Sequence, residues 1–326
     1  MKTLSSLSAI SGAESSHQGA SREITTSQLP YELQREIFEI AATLNGISAF
    51  RLTEVSSFVS NWVRPILYQR IVLRNSRAGS CFLRAIGSKP THFYNKLVKS
   101  LTLTEDVSMA CLKPVLAELR NIISFTLFGV AYSQEMYNIL NLIRSPHLRR
   151  MTLVYRHNSE RTLTSHQAHE IPPKILTSLT HLTIVTDHPD RFLNSWDNLD
   201  SALSGNAATS VPNHLALFQH LTHFAVSFCR YTVVHRIMQA APNLRYFVIL
   251  LPANFIHAWK DGLLNFARLQ LGVSVVILKN LGDTASWNVN DGFGPSNFWR
   301  WVERLVEDGY ISDNGDIKGV QRHTWL

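Results

Sequence analysis

The sequence predicts an α/β chain: a short helical head followed by an irregular repeat solenoid with parallel strands and helices. Three observations predict it. A proline-led apolar run opens at Leu29 and has helical spacing. Seven short strand-like runs then recur at intervals of two to four dozen residues. Stripes of apolar residues three and four apart lie between several of them, as amphipathic helices require.

Residues 1–27 come first and read as a disordered, Ser-rich tail. Lys2 before a thin apolar patch makes a poor secretory signal. The head spans 28–73. Pro30 stands where a helix starts, a place at which its missing N–H costs nothing. Glu32 follows in the first turn and suits the positive end of the helix dipole. Leu33, Ile37, Ala41 and Leu44 recur at helical spacing and share a face, with Ile40 beside them. Phe38 lies off that stripe, and a large apolar group on a second face suggests a surface meant to be covered. Asn45-Gly46 is a turn signal. A second apolar set, Phe50, Leu52, Val55, Phe58 and Val59, predicts one or two further short helices, interrupted or capped by Ser56, Ser57 and Ser60. Trp62 follows, then Pro65 restarts the chain into a turn carrying Leu67 and Tyr68. Ile71-Val72-Leu73 is brief and β-branched, a strand signature. A unit of about 45 residues is too small to bury a core well and gains stability by packing on something else.

The repeats occupy 74–282. The first apolar positions of the strand-like runs are Leu101, Phe125, Met151, Leu182, Phe224, Phe247 and Val275. Their steps are 24, 26, 31, 42, 23 and 28 residues, mostly at or near the leucine-rich-repeat period. Leu148, Leu179, Leu221 and Leu244 each precede a strand by three residues. Alternate side chains of a strand face opposite ways. The first and third apolar positions therefore point inward, and Thr102, Thr126 and Thr152 are expected outward on a shared sheet surface. Three helical stripes are expected between strands: Met109, Leu112, Val115, Leu116 and Leu119; Met136, Ile139, Leu140 and Ile143; Val233, Val234, Ile237 and Met238. A single repeat cannot cover its own apolar edges, so neighbours stack. The asparagine ladder of regular repeats is largely missing, so the arc is expected to be irregular.

The step of 42 marks an insertion near 187–214, in which Phe192, Leu193, Trp196 and Leu199 suggest a short helix packing on the repeats. Residues 283–326 are a capping segment. Ser296 and Gly309 bracket one amphipathic helix carrying Phe298, Trp299, Trp301, Val302, Leu305 and Val306, expected to cover the last repeat.

Composition narrows the chemistry. At 326 residues the chain exceeds a typical single domain, but repeat arrays run long without splitting. No apolar run approaches the roughly 20 residues that span a bilayer. Cys81, Cys111 and Cys229 are odd in number and form no CxxC pair, which fits a reducing compartment, cytoplasmic or nuclear, and small buried side chains rather than a disulfide or zinc scaffold. The net charge of +7 is uneven. Residues 74–160 hold 12 Lys and Arg against 5 Asp and Glu, whereas 283–326 hold 4 against 7. The basic residues are scattered and read as a solvated face rather than a nucleic-acid site. No GxxxxGK[ST], GxGxxG or GxSxG occurs. Of the 14 histidines, His157, His166 and His169 cluster without a cysteine or HExxH partner, and His181, His220 and His223 flank strands as surface or edge residues. No enzyme activity, cofactor or metal is expected.

The run Leu-Pro-x-Glu-Leu-x-x-Glu-Ile-Phe at 29–38, with Leu52, Val55 and Trp62 beyond it, resembles the F-box. The ending Trp-Val-x-Pro-Ile-Leu-Tyr at 62–68 is similar to the F-box-like variant common in large fungal families. The motif covers about 45 of 326 residues. By resemblance, the chain docks on a Skp-type adaptor and brings an unknown protein substrate to a cullin–RING ubiquitin ligase. Leu29, Pro30, Leu33, Ile37, Phe38, Val55 and Trp62 then face the adaptor or support that face. The alternative is an adaptor-independent repeat scaffold with a helical cap, and a nucleic-acid binder using 74–160 is the lesser rival.

Overall fold

The computed structural model describes residues 29–44, 46–104, 106–128, 134–155, 171–186, 217–227, 237–238, 240–251, 273–279 and 295–308. The expected tail at 1–27 and the insertion near 187–214 lie outside these residues.

The head is three helices, α1 (Tyr31–Leu44), α2 (Gly46–Leu52) and α3 (Ser57–Gln69). Pro30 directly precedes α1 and its carbonyl accepts the first helical bond, from the Gln34 N–H at 3.0 Å. Ser56 caps α3 by accepting from the Val59 N–H at 3.2 Å, satisfying one of the helix's orphan donors. The turn expected at Pro65 does not form, and α3 runs through it to Gln69. A proline inside a helix forfeits one backbone bond. Here Ile66 and Leu67 pack on the head's small core, and Tyr68 on the main core further along, so continuing the helix buries more than a turn does. The same helix thereby joins head and array.

The array follows as β1 (Arg70–Leu73), α4 (Ser76–Gly87), α5 (Thr91–Leu97), β2 (Ser100–Leu103), α6 (Met109–Glu118), β3 (Ser124–Phe128), α7 (Gln134–Leu142), β4 (Arg150–Tyr155), α8 (Pro173–Leu176), β5 (His181–Thr186), β6 (His223–Ser227), β7 (Tyr246–Leu251) and β8 (Ser274–Lys279). A last helix, α9, spans Pro295–Glu307. Helices α4 and α5 had no sequence forecast. Their signals are Asn75, which caps α4 by accepting from the Ala78 N–H at 2.9 Å, and Phe82 and Ile86, one helical turn apart and both buried.

The eight strands among the described residues form one parallel sheet in chain order, β1 to β8. The seven positions picked out by spacing fall in one cross-strand row: Leu101, Phe125, Met151, Leu182, Phe224, Phe247 and Val275. A repeated backbone device holds the register. Just before each of the strands β2 to β6, one carbonyl accepts two N–H groups from the next strand's entry. Lys99 O does so from Ile123 and Ser124, Ile123 O from Arg149 and Arg150, Arg149 O from Thr180 and His181, Thr180 O from Thr222 and His223, and Thr222 O from Arg245 and Tyr246, at 2.8 to 3.1 Å.

The main core lies on one sheet face. Leu101, Phe125, Met151, Leu182, Phe224 and Phe247, with Leu103, Leu127, Leu153, Ile184, Val226 and Ile249 two residues on, pack against the buried sides of α4 to α8. Leu112, Val115, Leu116 and Leu119 are buried as the α6 stripe requires, as are Ile139, Leu140 and Ile143 of the α7 stripe. In the third stripe Ile237 and Met238 are buried, and Val233 and Val234 lie outside the described residues.

The opposite face departs from expectation. Thr102, Thr126 and Thr152 are buried, not displayed, and so is Thr183 in the same row. Further along, that row becomes Ala225, Val248 and Val276. These three, with Val154, Val185, Leu250 and Leu278, form a second cluster with Phe298, Trp299 and Val302 of α9. The last helix therefore lies across the sheet face rather than on the end of the array. It also begins at Pro295, which places Ser296 inside the helix and not at its cap. Proline at a first helical position loses no bond.

Candidate docking surface on the helical head

The head has little interior of its own. Ala42, Ala49, Val59 and Val63 are its buried apolar residues, with Phe38, Leu52, Trp62, Ile66 and Leu67 packed partly against them. Two small alanines at the centre bring α1 and α2 close to α3, and they leave few large side chains inside.

Helix α1 is apolar on two sides, and Phe38, expected on a face left to be covered, lies on the inner one. The side carrying Phe38 and Ala42 faces inward. Phe38 sits 6.2 Å from the Trp62 ring, and Trp62 meets Tyr31 edge-on at 4.8 Å. The Trp62 Nε1–H donates to Tyr31 Oη at 3.1 Å, so the polar handle of the indole is satisfied. The other side carries Leu33, Ile37, Ile40 and Leu44, and it faces solvent. Spacings of four, three and four put these residues on one continuous helical stripe. Leu33 is 45% exposed, Ile37 52%, Ile40 53% and Leu44 81%. Phe50 of α2, Val55 in the turn after it and Phe58 of α3 are also exposed large apolar groups.

Of the residues singled out by sequence, Leu29, Pro30, Leu33, Ile37 and Val55 are exposed, whereas Phe38 and Trp62 are half-buried. The last two brace the stripe from behind. Leu29 is anchored through its carbonyl, which accepts from Gln34 Nε2 at 2.6 Å. Arg35 and Glu39 pair at 2.7 Å one turn apart on the helix exterior. Ile40, Leu44, Phe50 and Phe58 belong to the same exposed set and were not singled out. For Ile40 and Leu44 the signal was the stripe they share with Leu33 and Ile37, the two that were expected to face the adaptor. An isolated apolar residue on a surface is ordinary, but a continuous stripe on so small a unit is a candidate docking surface.

A second constellation lies beneath α9. His223, expected at a surface or edge, is buried, and His181 is half-buried beside it, while His220 is exposed as expected. His181 and His223 occupy equivalent positions on β5 and β6 and stack with centroids 4.0 Å apart at 7°. Tyr246 on β7 continues the stack at 4.7 Å from His223. Trp299 stands edge-on to both imidazoles, at 5.6 and 5.0 Å. His223 Nε2 lies 3.0 Å from Glu303 Oε1 of α9. Burial holds His181 down to about 3, with neighbouring His223 and Arg150 adding to the effect. Burial holds His223 down to about 4, with Arg150 and Arg245 adding to it. Sequence reading missed this group because 42 residues separate the two histidines and 80 separate His223 from Glu303. Of the other cluster considered, His157, His166 and His169 lie outside the described residues. Cys81 was expected to be buried and is exposed, where its Sγ accepts from an Arg84 guanidinium N–H at 3.3 Å. Cys111 is half-buried, and its thiol is held below the ordinary range by hydrogen bonds from Ser108 and Ser80.

No helix among the described residues is long and apolar enough to cross a membrane. No family model, curated protein or solved structure matches the chain.

Proposed function

We propose that this chain is an F-box-like substrate receptor, whose head docks on a Skp-type adaptor and whose leucine-rich-repeat array holds a protein destined for ubiquitin transfer. The observation that carries the reading is the solvent-facing stripe of Leu33, Ile37, Ile40 and Leu44 on α1. Its support comes from below, where Phe38, Trp62 and Tyr31 fix the helix through ring contacts. A firm base with an oily exterior is what a permanent subunit contact requires, since the apolar area is removed from water only in the complex. The parallel strands in chain order, with steps near a leucine-rich period, favour a repeat array as the second half of such a receptor. The bond-making chemistry resides in the partner subunits.

The test is capture of the adaptor by the purified full chain and by a Leu33→Asp, Ile37→Asp double variant. Each residue already has about half its surface in contact with the head, so covering the remainder contributes about 1 kcal/mol per side chain, and a buried carboxylate adds a penalty of a few kcal/mol. The double variant is expected to bind at least about a hundredfold more weakly, with its melting temperature nearly unchanged because the replaced groups already face water. Equal recovery of adaptor by both proteins removes the proposed interface.

A further inference from the structure

We propose that His181, His223 and Glu303 bind one divalent transition-metal ion of the zinc class, and that the ion fastens α9 to the sheet. This inference is independent of the head and of the adaptor reading. One ligand atom from each residue lies within 4.8 Å of the other two, and the three residues come from three elements, β5, β6 and α9.

The surroundings of the two imidazoles repeat. The residue before each histidine is a threonine whose hydroxyl touches the ring's Nδ1, Thr180 at 2.8 Å and Thr222 at 2.7 Å. Each hydroxyl also donates to the backbone carbonyl of the preceding strand entry, Thr180 to Arg149 O and Thr222 to Thr180 O, both at 3.0 Å. A hydroxyl has a single proton. With that proton on the carbonyl, the oxygen accepts from Nδ1–H, and the neutral ring presents a bare lone pair at Nε2. This is the outer-shell arrangement that fixes the tautomer of metal-bound histidines.

One consequence follows on the Nε2 side. His223 Nε2 and Glu303 Oε1 are then two acceptors only 3.0 Å apart, a contact that a cation between them turns from repulsive to attractive. Thr183, on the same face of β5 two residues along, is buried with a hydroxyl that has no hydrogen-bond partner, as is Thr126 in the same row. Two imidazoles and one carboxylate suit zinc better than magnesium or calcium, and three protein ligands leave a fourth position for water. A metal lies in the plane of each imidazole it binds, so the rings, now parallel, lean together at Nε2 when the ion enters.

The experiment is equilibrium dialysis of the full chain against Zn²⁺, with Co²⁺ as a spectroscopic probe and Mg²⁺ as control. Glu303→Gln and His181→Gln are the test variants, each checked for unchanged far-UV circular dichroism. Glu303 is partly exposed and its glutamine replacement is isosteric, so that variant keeps its fold. The expected result is one Zn²⁺ per chain, a Co²⁺ visible spectrum of the four-coordinate type, a higher melting temperature with Zn²⁺ but not with Mg²⁺, and affinity lowered at least about tenfold in each variant. Absence of stoichiometric uptake by the unmodified chain overturns the proposal. So does uptake that is equal in the chain and both variants, since the ion is then held by other histidines.

Discussion

Replacing Trp299 by alanine tests whether α9 is a fixed part of the array. Trp299 is 3% exposed and stands edge-on to His181 and His223, with Phe298 4.9 Å away. Truncating a buried tryptophan costs about 3–5 kcal/mol, and each well-placed aromatic pair contributes about 0.5–1.5 kcal/mol within that loss. Among the described contacts, α9 is held mainly through Phe298, Trp299 and Val302, with Trp301, Leu305 and Val306 packed partly against the same cluster and Glu303 on His223. A helix so held detaches as a unit before the sheet unfolds. The loss is therefore expected locally, as a fall of about a hundredfold or more in hydrogen-exchange protection across 295–308, or to no protection at all. Strands β2 and β3 lie at the other end of the sheet and keep their protection. In urea, Trp299→Ala and a Phe298→Ala, Trp299→Ala double variant are expected to lose similar global stability, because nothing further is lost once the helix has left. Exchange protection at 295–308 within fivefold of the parent refutes the reasoning, as does a double variant whose losses simply add.

Two further perturbations probe the interior. A Cβ at Gly79 lies 3.1 Å from Cys111 Cβ and 3.4 Å from Val107 Cγ1, so α4 and α6 meet there with no room for a large side chain. Gly79→Leu is expected to cost about 1–3 kcal/mol by forcing the helices apart, whereas Gly79→Ala comes close to neutral because the gain in helix propensity of about 1 kcal/mol offsets the crowding; thermal melts rank them, and Gly79→Leu melting like the parent refutes the close approach. With a chelator present, the histidines under α9 set an acid limit. Their folded values, about 3 for His181 and about 4 for His223, lie below the unfolded value of about 6.5. Between these limits the unfolded chain binds more protons, so stability is complete above pH 6.5 and declines as pH falls toward 4, by up to about 1.4 kcal/mol per pH unit for each ring. Urea midpoints at pH 7.5 and 5 are expected to drop less in His181→Gln than in the parent; identical drops refute the assignment.

The strand row was legible because two simple constraints coincide. Alternation places Leu101 and Leu103, or Phe224 and Val226, on one face, and the recurring leucine three residues earlier fixes where each strand begins. The α6 and α7 stripes were legible for the same reason, since their buried residues face the sheet they cross. The other face was not legible. Threonine is small and β-branched and suits water and interior alike, and Thr126 and Thr183 are enclosed even without a partner for their hydroxyls; the cover over the later strands comes from a helix far along the chain. The stripe of Phe298, Trp299 and Val302 announced an amphipathic helix without naming its dock. In the head, α1 is apolar on two sides, and spacing alone cannot say which side three short helices turn inward. Phe38 was taken as the odd residue out, and its contact with Trp62 makes it part of the interior. His181 and His223 were invisible as a pair because register, not sequence distance, brings them together.

The chain-order sheet has a consequence for synthesis. Each strand pairs with the one made just before it, so rungs can be laid down as the polypeptide leaves the ribosome, and no early strand waits for a late one. The exception is Pro295–Glu307, which emerges only after all the strands from β1 to β8. Until it arrives, Val154, Val185, Ala225, Val248 and Val276 form a bare oily strip on an otherwise finished sheet. A polypeptide cut short near residue 290 and released is sticky along that strip, whereas one cut short near residue 150 has made none of it.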